Sequence, residues 1–520
     1  MIPKLNHASP PISPELNSVE NSQTPSHSSY DFVRKLISSL GDLIKRATGQ
    51  GSSVEDTNEP PAERPTLVEM RLDCEHAIIF NSSSGQYTLI APAPPIKNLA
   101  ISGGGAKGVI LTGVIRAFEH FTNSEGTFRE QIDNIAGSSI GAITAALIAA
   151  GMPAERFIEV TRNTDFKKML GTGFGPVNLD GKPILVFLRT YLKESIEVRL
   201  KQVFGKDELN QITADDILHK LQHLEPAEQE KVKRGVEQAI EQVMKPAVND
   251  VMVTFSMLRS LHILAPKVFK DLTVTATCRD NGTLCHFDAD ATPNMDIAIG
   301  CRASGSLPLV LSPVLITREA LSPGYANLLP GKDSLSFVDG GYLDNIPVAA
   351  LEGKQQGKHT RGVFGQNLQT LALVFDTTGR DEEEQSPYHD EKVDKNVFLN
   401  PKAFVERVLR DLLPRKIGRI NTQERNTLLA LKGHETIRTR YVQRNIPLLI
   451  SINAVNFKHA KKHEEKYCNR GYQQTIEYLK NHENEMVYFT SNDLNEIVGY
   501  LPLEFVKGLD LSRLSKPNNE

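Results

Sequence analysis

The chain has 520 residues, 40% of them hydrophobic, with a formal net charge of -4 and no tryptophan. Such a length supports one large domain with appendages, or two to three domains. The near-neutral balance disfavours a nucleic-acid binder, so no nucleic-acid partner is expected, and interfacial Trp anchoring is excluded.

The five cysteines (Cys74, Cys278, Cys285, Cys301, Cys468) form no CxxC pair. They are expected to be free thiols, with neither a disulfide framework nor a metal site. No run of about 18 apolar residues occurs, so no transmembrane helix is expected. The N-terminus lacks the apolar core of a cleaved secretory signal. Any action on lipid would then be peripheral.

Residues 1–29, rich in Ser, Pro and Asn, are expected to be disordered. Phe32, Val33, Leu36, Ile37, Leu40, Leu43 and Ile44 then repeat at helical spacing among Arg34, Lys35, Lys45 and Arg46. The spacing predicts an amphipathic helix over 31–48, which could dock on the domain, lie on a membrane or bind a secretion chaperone. Residues 49–65 have linker composition, making 1–66 one secretion or targeting region.

From residue 67 the pattern becomes globular. A strand over 97–102 runs into a glycine-rich turn and a helix over 109–121; a strand over 132–136 runs into a helix over 140–150, ended by Gly151. Two strand–turn–helix units in succession predict an α/β fold with a mostly parallel central sheet. Residues 186–265 are charged and glycine-poor, which predicts a helical insertion. Further strands are expected at 272–277, 335–338 and 371–375, and a polar loop at 379–395. The domain is thus placed at 67–395, with its core at 97–352. Residues 396–520 are expected to form a C-terminal helical region. Within it, 401–445 carries eleven Lys or Arg against four acids, either a solvated face or a contact for an anionic membrane.

Three constellations carry chemistry. Gly137-Ser138-Ser139-Ile140-Gly141 lies between a strand and a helix. A turn sharp enough to expose the Ser139 hydroxyl needs small neighbours, and the helix start favours negative charge there. Ser102-Gly103-Gly104-Gly105-Ala106-Lys107-Gly108 presents bare backbone amides, an anion site. A nucleotide-phosphate loop would need Ser or Thr after its lysine; here Gly108 follows Lys107. In Asp339-Gly340-Gly341 a carboxylate stands at a strand end, freed by two glycines to approach a nucleophile. A Ser–Asp pair requires no histidine and no metal.

In this order the three elements resemble the patatin-like phospholipase family. Ala303-Ser304-Gly305-Ser306-Leu307-Pro308 and Asp344-Asn345-Ile346-Pro347-Val348 also look like segments of that family. The resemblance spans about 95–352 and implies a three-layer patatin-like fold and a phospholipase A or lysophospholipase activity with no cofactor. It implies Ser139 as nucleophile and Asp339 as base. Gly103, Gly104, Gly105 and Ala106 would supply the oxyanion hole, and Lys107 and Gly108 would touch substrate. Gly137, Gly141, Gly340 and Gly341 would support the turns. The stretches Leu99–Ser102, Ala136–Leu147 and Val253–Leu258 are similar to secreted bacterial effectors of the ExoU and VipD kind. That likeness implies type III or type IV delivery without a Sec signal and peripheral action on host membranes. A host activator, ubiquitin-like by analogy, is implied as a partner. The chain ends earlier than that group's pattern, leaving 400–520 as a smaller substitute for a long C-terminal helical region.

Three rivals stay open. A histidine-dependent α/β-hydrolase would draw on His286, His434 or His459. A catalytically silent patatin-like module would bind lipid or a host protein. An NTPase would be stabilised by nucleotide.

Overall fold

The structure is a computed structural model. It describes residues 67–376 apart from 73–75, 83, 173–178, 309 and 354–367, and residues 444–501 apart from 451, 453, 455, 483, 484 and 500. All of these belong to the unit Pro65–Glu520. The expectations for 1–66, for the loop at 379–395 and for nearly all of the basic stretch 401–445 lie outside the described residues.

An eight-stranded sheet forms the centre. Its strands are β4 (Asn98–Ile101), β7 (Asn134–Gly137), β8 (Asp271–Cys278), β9 (Thr283–Phe287), β10 (Val314–Thr317), β11 (Ser334–Asp339), β12 (Thr370–Asp376) and β13 (Asn445–Leu449). The order is β10-β11-β8-β7-β4-β12-β13, with β9 paired to β8. The run β8-β7-β4-β12-β13 is parallel, β9 and β11 pair antiparallel with β8, and β10 pairs antiparallel with β11. The fold is therefore α/β, with a mostly parallel sheet. Every residue of β8 is buried, as befits a strand covered on both faces.

Helices cover the sheet. They are α1 (Leu111–His120), α2 (Ile140–Ala149), α3 (Ala154–Asn163), α4 (Phe166–Met169), α5 (Lys182–Phe204), α6 (Ala214–Lys220), α7 (Pro226–Met244), α8 (Phe255–Leu264), α9 (Ile297–Ser304), α10 (Phe457–Lys462) and α11 (Glu464–Asn481). The helix α2 is almost wholly buried, and Ala142, Ala145, Ala146 and Ala149 let its backbone lie close to its neighbours. The charged stretch after Gly181 folds as α5 to α8, joined to the core through Leu188, Leu192, Val236 and Leu261.

Two features depart from the expectations. A second, antiparallel sheet joins β1 (Leu67–Arg71), β2 (Ala77–Asn81) and β3 (Gln86–Pro92), all before the first expected strand, to β14 (Met486–Ser491). The C-terminal region is also more than helical, because it supplies β13 to the central sheet and β14 to the second. A small hairpin, β5 (Thr122–Asn123) and β6 (Gly126–Thr127), completes the strands.

Lys270 sits fully buried just before β8, donating to the carbonyls of Pro266 (2.6 Å) and Glu130 (3.3 Å). Burial, reinforced by Arg129, lowers its ammonium from 10.5 to about 7, with Asp133 and Glu130 opposing. Between pH 7 and 10 the unfolded chain thus binds more protons at this site, so stability rises with pH. Lys270→Met is expected to flatten that rise in thermal melts across this range. A slope equal to wild type would show that Lys270 stays charged when folded.

Candidate active site

The C-terminal ends of β4 and β7 lie side by side, with Ile101 opposite Gly137. From this edge two turns emerge. The turn after β7 places Ser139 before the first residue of α2, at φ 55° and ψ -124°. Such a conformation costs a non-glycine residue about 1–3 kcal/mol and projects the side chain out of the turn. Its small neighbours are required by contact. A Cβ on Gly141 would lie 2.3 Å from the Ile101 carbonyl, and one on Gly137 would lie 2.4 Å from the Gly141 carbonyl.

The antiparallel strand β11 ends on Asp339, in register with Ala276 of β8. This brings together residues 200 positions apart: Ser139 Oγ donates to Asp339 Oδ2 at 2.7 Å. Asp339 Oδ1 accepts the Gly341 amide at 2.7 Å, which fixes the carboxylate plane. Asp339 is 4% exposed, and burial raises its carboxyl from 3.8 to about 6, against the lowering effect of the Ser139 and Gly341 hydrogen bonds. A carboxyl in that range can accept and return a proton near neutral pH.

The glycine turn after β4 lies against this pair; a Cβ on Gly103 would come within 3.0 Å of the Ser139 Cβ. Not all of its amides are available. The Gly103 amide donates to the Asn345 carbonyl at 3.0 Å, and the Ala106 amide donates to the Ala454 carbonyl at 2.7 Å. Of the four residues expected to offer amides to an anion, only Gly104 and Gly105 have amides with no acceptor among the described residues. Gly105 adopts φ +56°, and a Cβ there would meet the Ala454 carbonyl at 2.3 Å, so its identity is fixed twice over.

Several residues of the site have no place among the expected ones. The Ser139 amide donates to Ser304 Oγ at 2.9 Å, and the Asp339 amide donates to the Ser306 carbonyl at 3.0 Å. The segment Ser304-Gly305-Ser306 thus ties the serine turn to the aspartate turn. Arg302 holds the segment from below, bonded to Ser306 Oγ and to the carbonyls of Asp180 (3.0 Å) and Ser312 (3.1 Å). Asn345 Nδ2 donates to the Gly103 carbonyl at 3.1 Å and braces the glycine turn from the other side. The only sequence signal for these residues is their place in the two resembling segments.

An apolar cavity of about 120 Å³ opens from Ser139 and runs between α2, α3, α4, α5 and α10, past Ile143, Leu147, Phe157, Ile184 and Phe187. Gly105, Ala106 and Gly108 border it, whereas Lys107 does not. Lys107 instead sits half-buried in the 3-10 turn Gly105–Ile110, its amide donating to the Gly104 carbonyl. Gly340 and Gly341 lie below the pair, packed near Thr275 and Asn345.

Of the histidines that a histidine-dependent mechanism would use, neither His286 nor His459 lines the cavity or bonds Ser139 or Asp339. His459 meets the Tyr467 hydroxyl, and His434 lies outside the described residues. Among the described residues no cluster of His, Cys, Asp or Glu could hold a metal ion, and no helix is long and apolar enough to cross a membrane. Cys278, Cys285, Cys301 and Cys468 are buried free thiols.

Residues 99–352 match the family described as patatin-like phospholipase. Among solved structures, the chain is similar to the type III effector protein ExoU at 16% identity, covering 84% of this chain and 62% of that one, with a TM-score of 0.42. It is also similar to VipD from Legionella pneumophila at 18% identity, covering 86% and 74%, with a TM-score of 0.43. A third likeness is to the heterodimeric ExoU–SpcU complex from the type III secretion system of Pseudomonas aeruginosa, at 16% identity, 88% and 65% coverage, and a TM-score of 0.46. The chain spans less than two thirds of the length of the ExoU chains in the first and third of these. No curated protein matches the sequence.

Proposed function

We propose that this chain, whose residues 99–352 match the family described as patatin-like phospholipase, is a serine acyl hydrolase that cleaves fatty-acyl esters of phospholipids. The observation that carries the proposal is the 2.7 Å hydrogen bond from Ser139 to Asp339 at the head of an apolar cavity.

Asp339 accepts the Ser139 proton as Oγ forms a bond to the ester carbonyl carbon. The carbonyl oxygen becomes an oxyanion, received by the amides of Gly104 and Gly105 and by the positive end of α2. Asp339 returns the proton to the leaving alcohol as the ester C–O bond breaks, leaving acyl-Ser139. A water then gives its proton to Asp339 and attacks the acyl carbon, and Oγ departs with that proton as the fatty acid is released. The cavity suits the acyl chain because most of its wall is aliphatic and aromatic, with Arg302, Lys461 and Glu464 the charged exceptions.

Phospholipase A activity as such, delivery as a secreted effector, action on host membranes, a secretion chaperone and a host activator belong to the same proposal. They rest on the resembling motifs. One assay tests both layers: fatty-acid release from mixed phospholipid vesicles, with and without eukaryotic cell extract. Release that disappears in Ser139→Ala is expected. Dependence on extract would support a host activator, and release without extract would discard it. Activity persisting in Ser139→Ala would sink the hydrolase proposal, and a full cellular effect of that variant would favour the silent binding module.

A further inference from the structure

Two short helices far apart in sequence form part of the rim of the Ser139 cavity. α4 and α10 each place one aromatic ring in its wall, and the rings of Phe166 and Phe457 stack at 6.2 Å between centroids and 19° between planes. Lys461 also lines the cavity while 45% of its side chain remains exposed, so the cavity reaches the surface beside α10.

Both helices also carry exposed lysines. Lys167 and Lys168 on α4, and Lys458 and Lys462 on α10, are exposed. Residues 162–168 and 457–466 together hold seven Lys or Arg against three acids, with His459 and His463 in addition. Two of the acids are engaged locally. Asp165 accepts the amides of Lys167 and Lys168 and pairs with Lys168 at 3.8 Å. Glu464 is buried and pairs with Arg162 (3.4 Å) and Lys461 (3.6 Å). Glu465 is the third, and it is exposed.

Exposed lysines beside an aromatic-lined opening match a bilayer with negative headgroups above apolar chains. Lysines near such a surface gain attraction that fades within a Debye length. Aromatic rings are at ease at the boundary between headgroups and chains. We propose that the rim formed by α4 and α10 is the docking surface for an anionic phospholipid bilayer. On this surface the cavity mouth faces the membrane, and an acyl chain enters beside the Phe166–Phe457 pair. The fate of the chain rests on the acyl-hydrolase reading; attachment does not, and it is measured separately.

The experiment uses the full chain carrying Ser139→Ala, so lipid is not consumed. Co-sedimentation is compared on phosphatidylcholine vesicles and on phosphatidylcholine–phosphatidylserine vesicles, at low and high salt. Partitioning at least about tenfold higher onto the anionic vesicles, reversed by salt, is expected. The combined variant Lys167→Gln, Lys168→Gln, Lys458→Gln, Lys462→Gln should lose about tenfold or more of it. The same four changes in the Ser139 protein should leave hydrolysis of a soluble short-chain ester, and the melting temperature, unchanged. Equal partitioning of the fourfold variant and its parent would overturn the proposal by moving attachment elsewhere, as would equal binding to neutral vesicles. If no soluble ester is hydrolysed by either Ser139 protein while the binding difference holds, the catalytic proposal fails and the docking surface stands.

Discussion

Replacing Asp339 by Asn is expected to abolish turnover and yet make the protein more stable. Asn keeps the shape of the carboxylate and can still accept the Gly341 amide, but it cannot take the Ser139 proton. Loss of about a thousandfold or more in kcat is expected, similar to the loss in Ser139→Ala. The double variant should be little worse than either single one, because the two residues act as a unit. The stability effect follows from burial. The folded carboxyl titrates at about 6 and the ordinary one at 3.8. Between those values the folded state binds more protons, so stability falls as pH rises through the window. Above pH 6 the penalty of a buried carboxylate is fully present, at most about 3 kcal/mol. Asp339→Asn should therefore raise the melting temperature at pH 8 and show no gain below pH 4. In the wild type, kcat/KM on a soluble ester should rise with pH around 6. A flat profile from pH 5 to 8 together with an unchanged melting temperature would mean that Asp339 is not the base.

Gly141→Ala is expected to cost about 3 kcal/mol or more and to remove most activity with it. The added methyl would point at two backbone carbonyls, Ile101 at 2.3 Å and Ser102 at 2.7 Å. Neither is the end of a flexible side chain, so relief requires β4 and α2 to separate. The separation would shift Ser139 and the glycine turn together. Gly353→Ala, with nothing within 4 Å of its Cβ, is the matched control. Urea denaturation of the two variants measures the difference. A Gly141→Ala protein as stable as wild type would show that α2 can move without cost.

Much of the site was legible because sharp turns demand particular residues locally. The serine elbow and the Asp-Gly-Gly turn each announce themselves within five residues, and the strands β4, β7, β8, β11 and β12 carry enough apolar residues to be placed. What stayed hidden is set at a distance. Nothing near Gly103 or Ala106 says that their amides are already bonded, because Asn345 and Ala454 come from remote parts of the chain. Nor does the sequence around Arg302 show that a buried guanidinium would hold Ser306. The strand β13 contains Pro447, which argues against a strand except at a sheet edge, and among the described residues β13 is the edge strand. The residues of β14 find their partner nearly 400 positions earlier, in β3.

The Ala454 carbonyl gives the site a different extent from the motifs that announce it. Every segment that carries the family resemblance ends by residue 352, and a fragment cut at residue 376 would keep all of them. It would lose the strand beside β12 and the carbonyl that occupies the Ala106 amide, leaving an open sheet edge and a third donor in the glycine turn. Shuffling this segment between homologous chains would therefore change which amides of the glycine turn stand open while every signature motif remained unaltered.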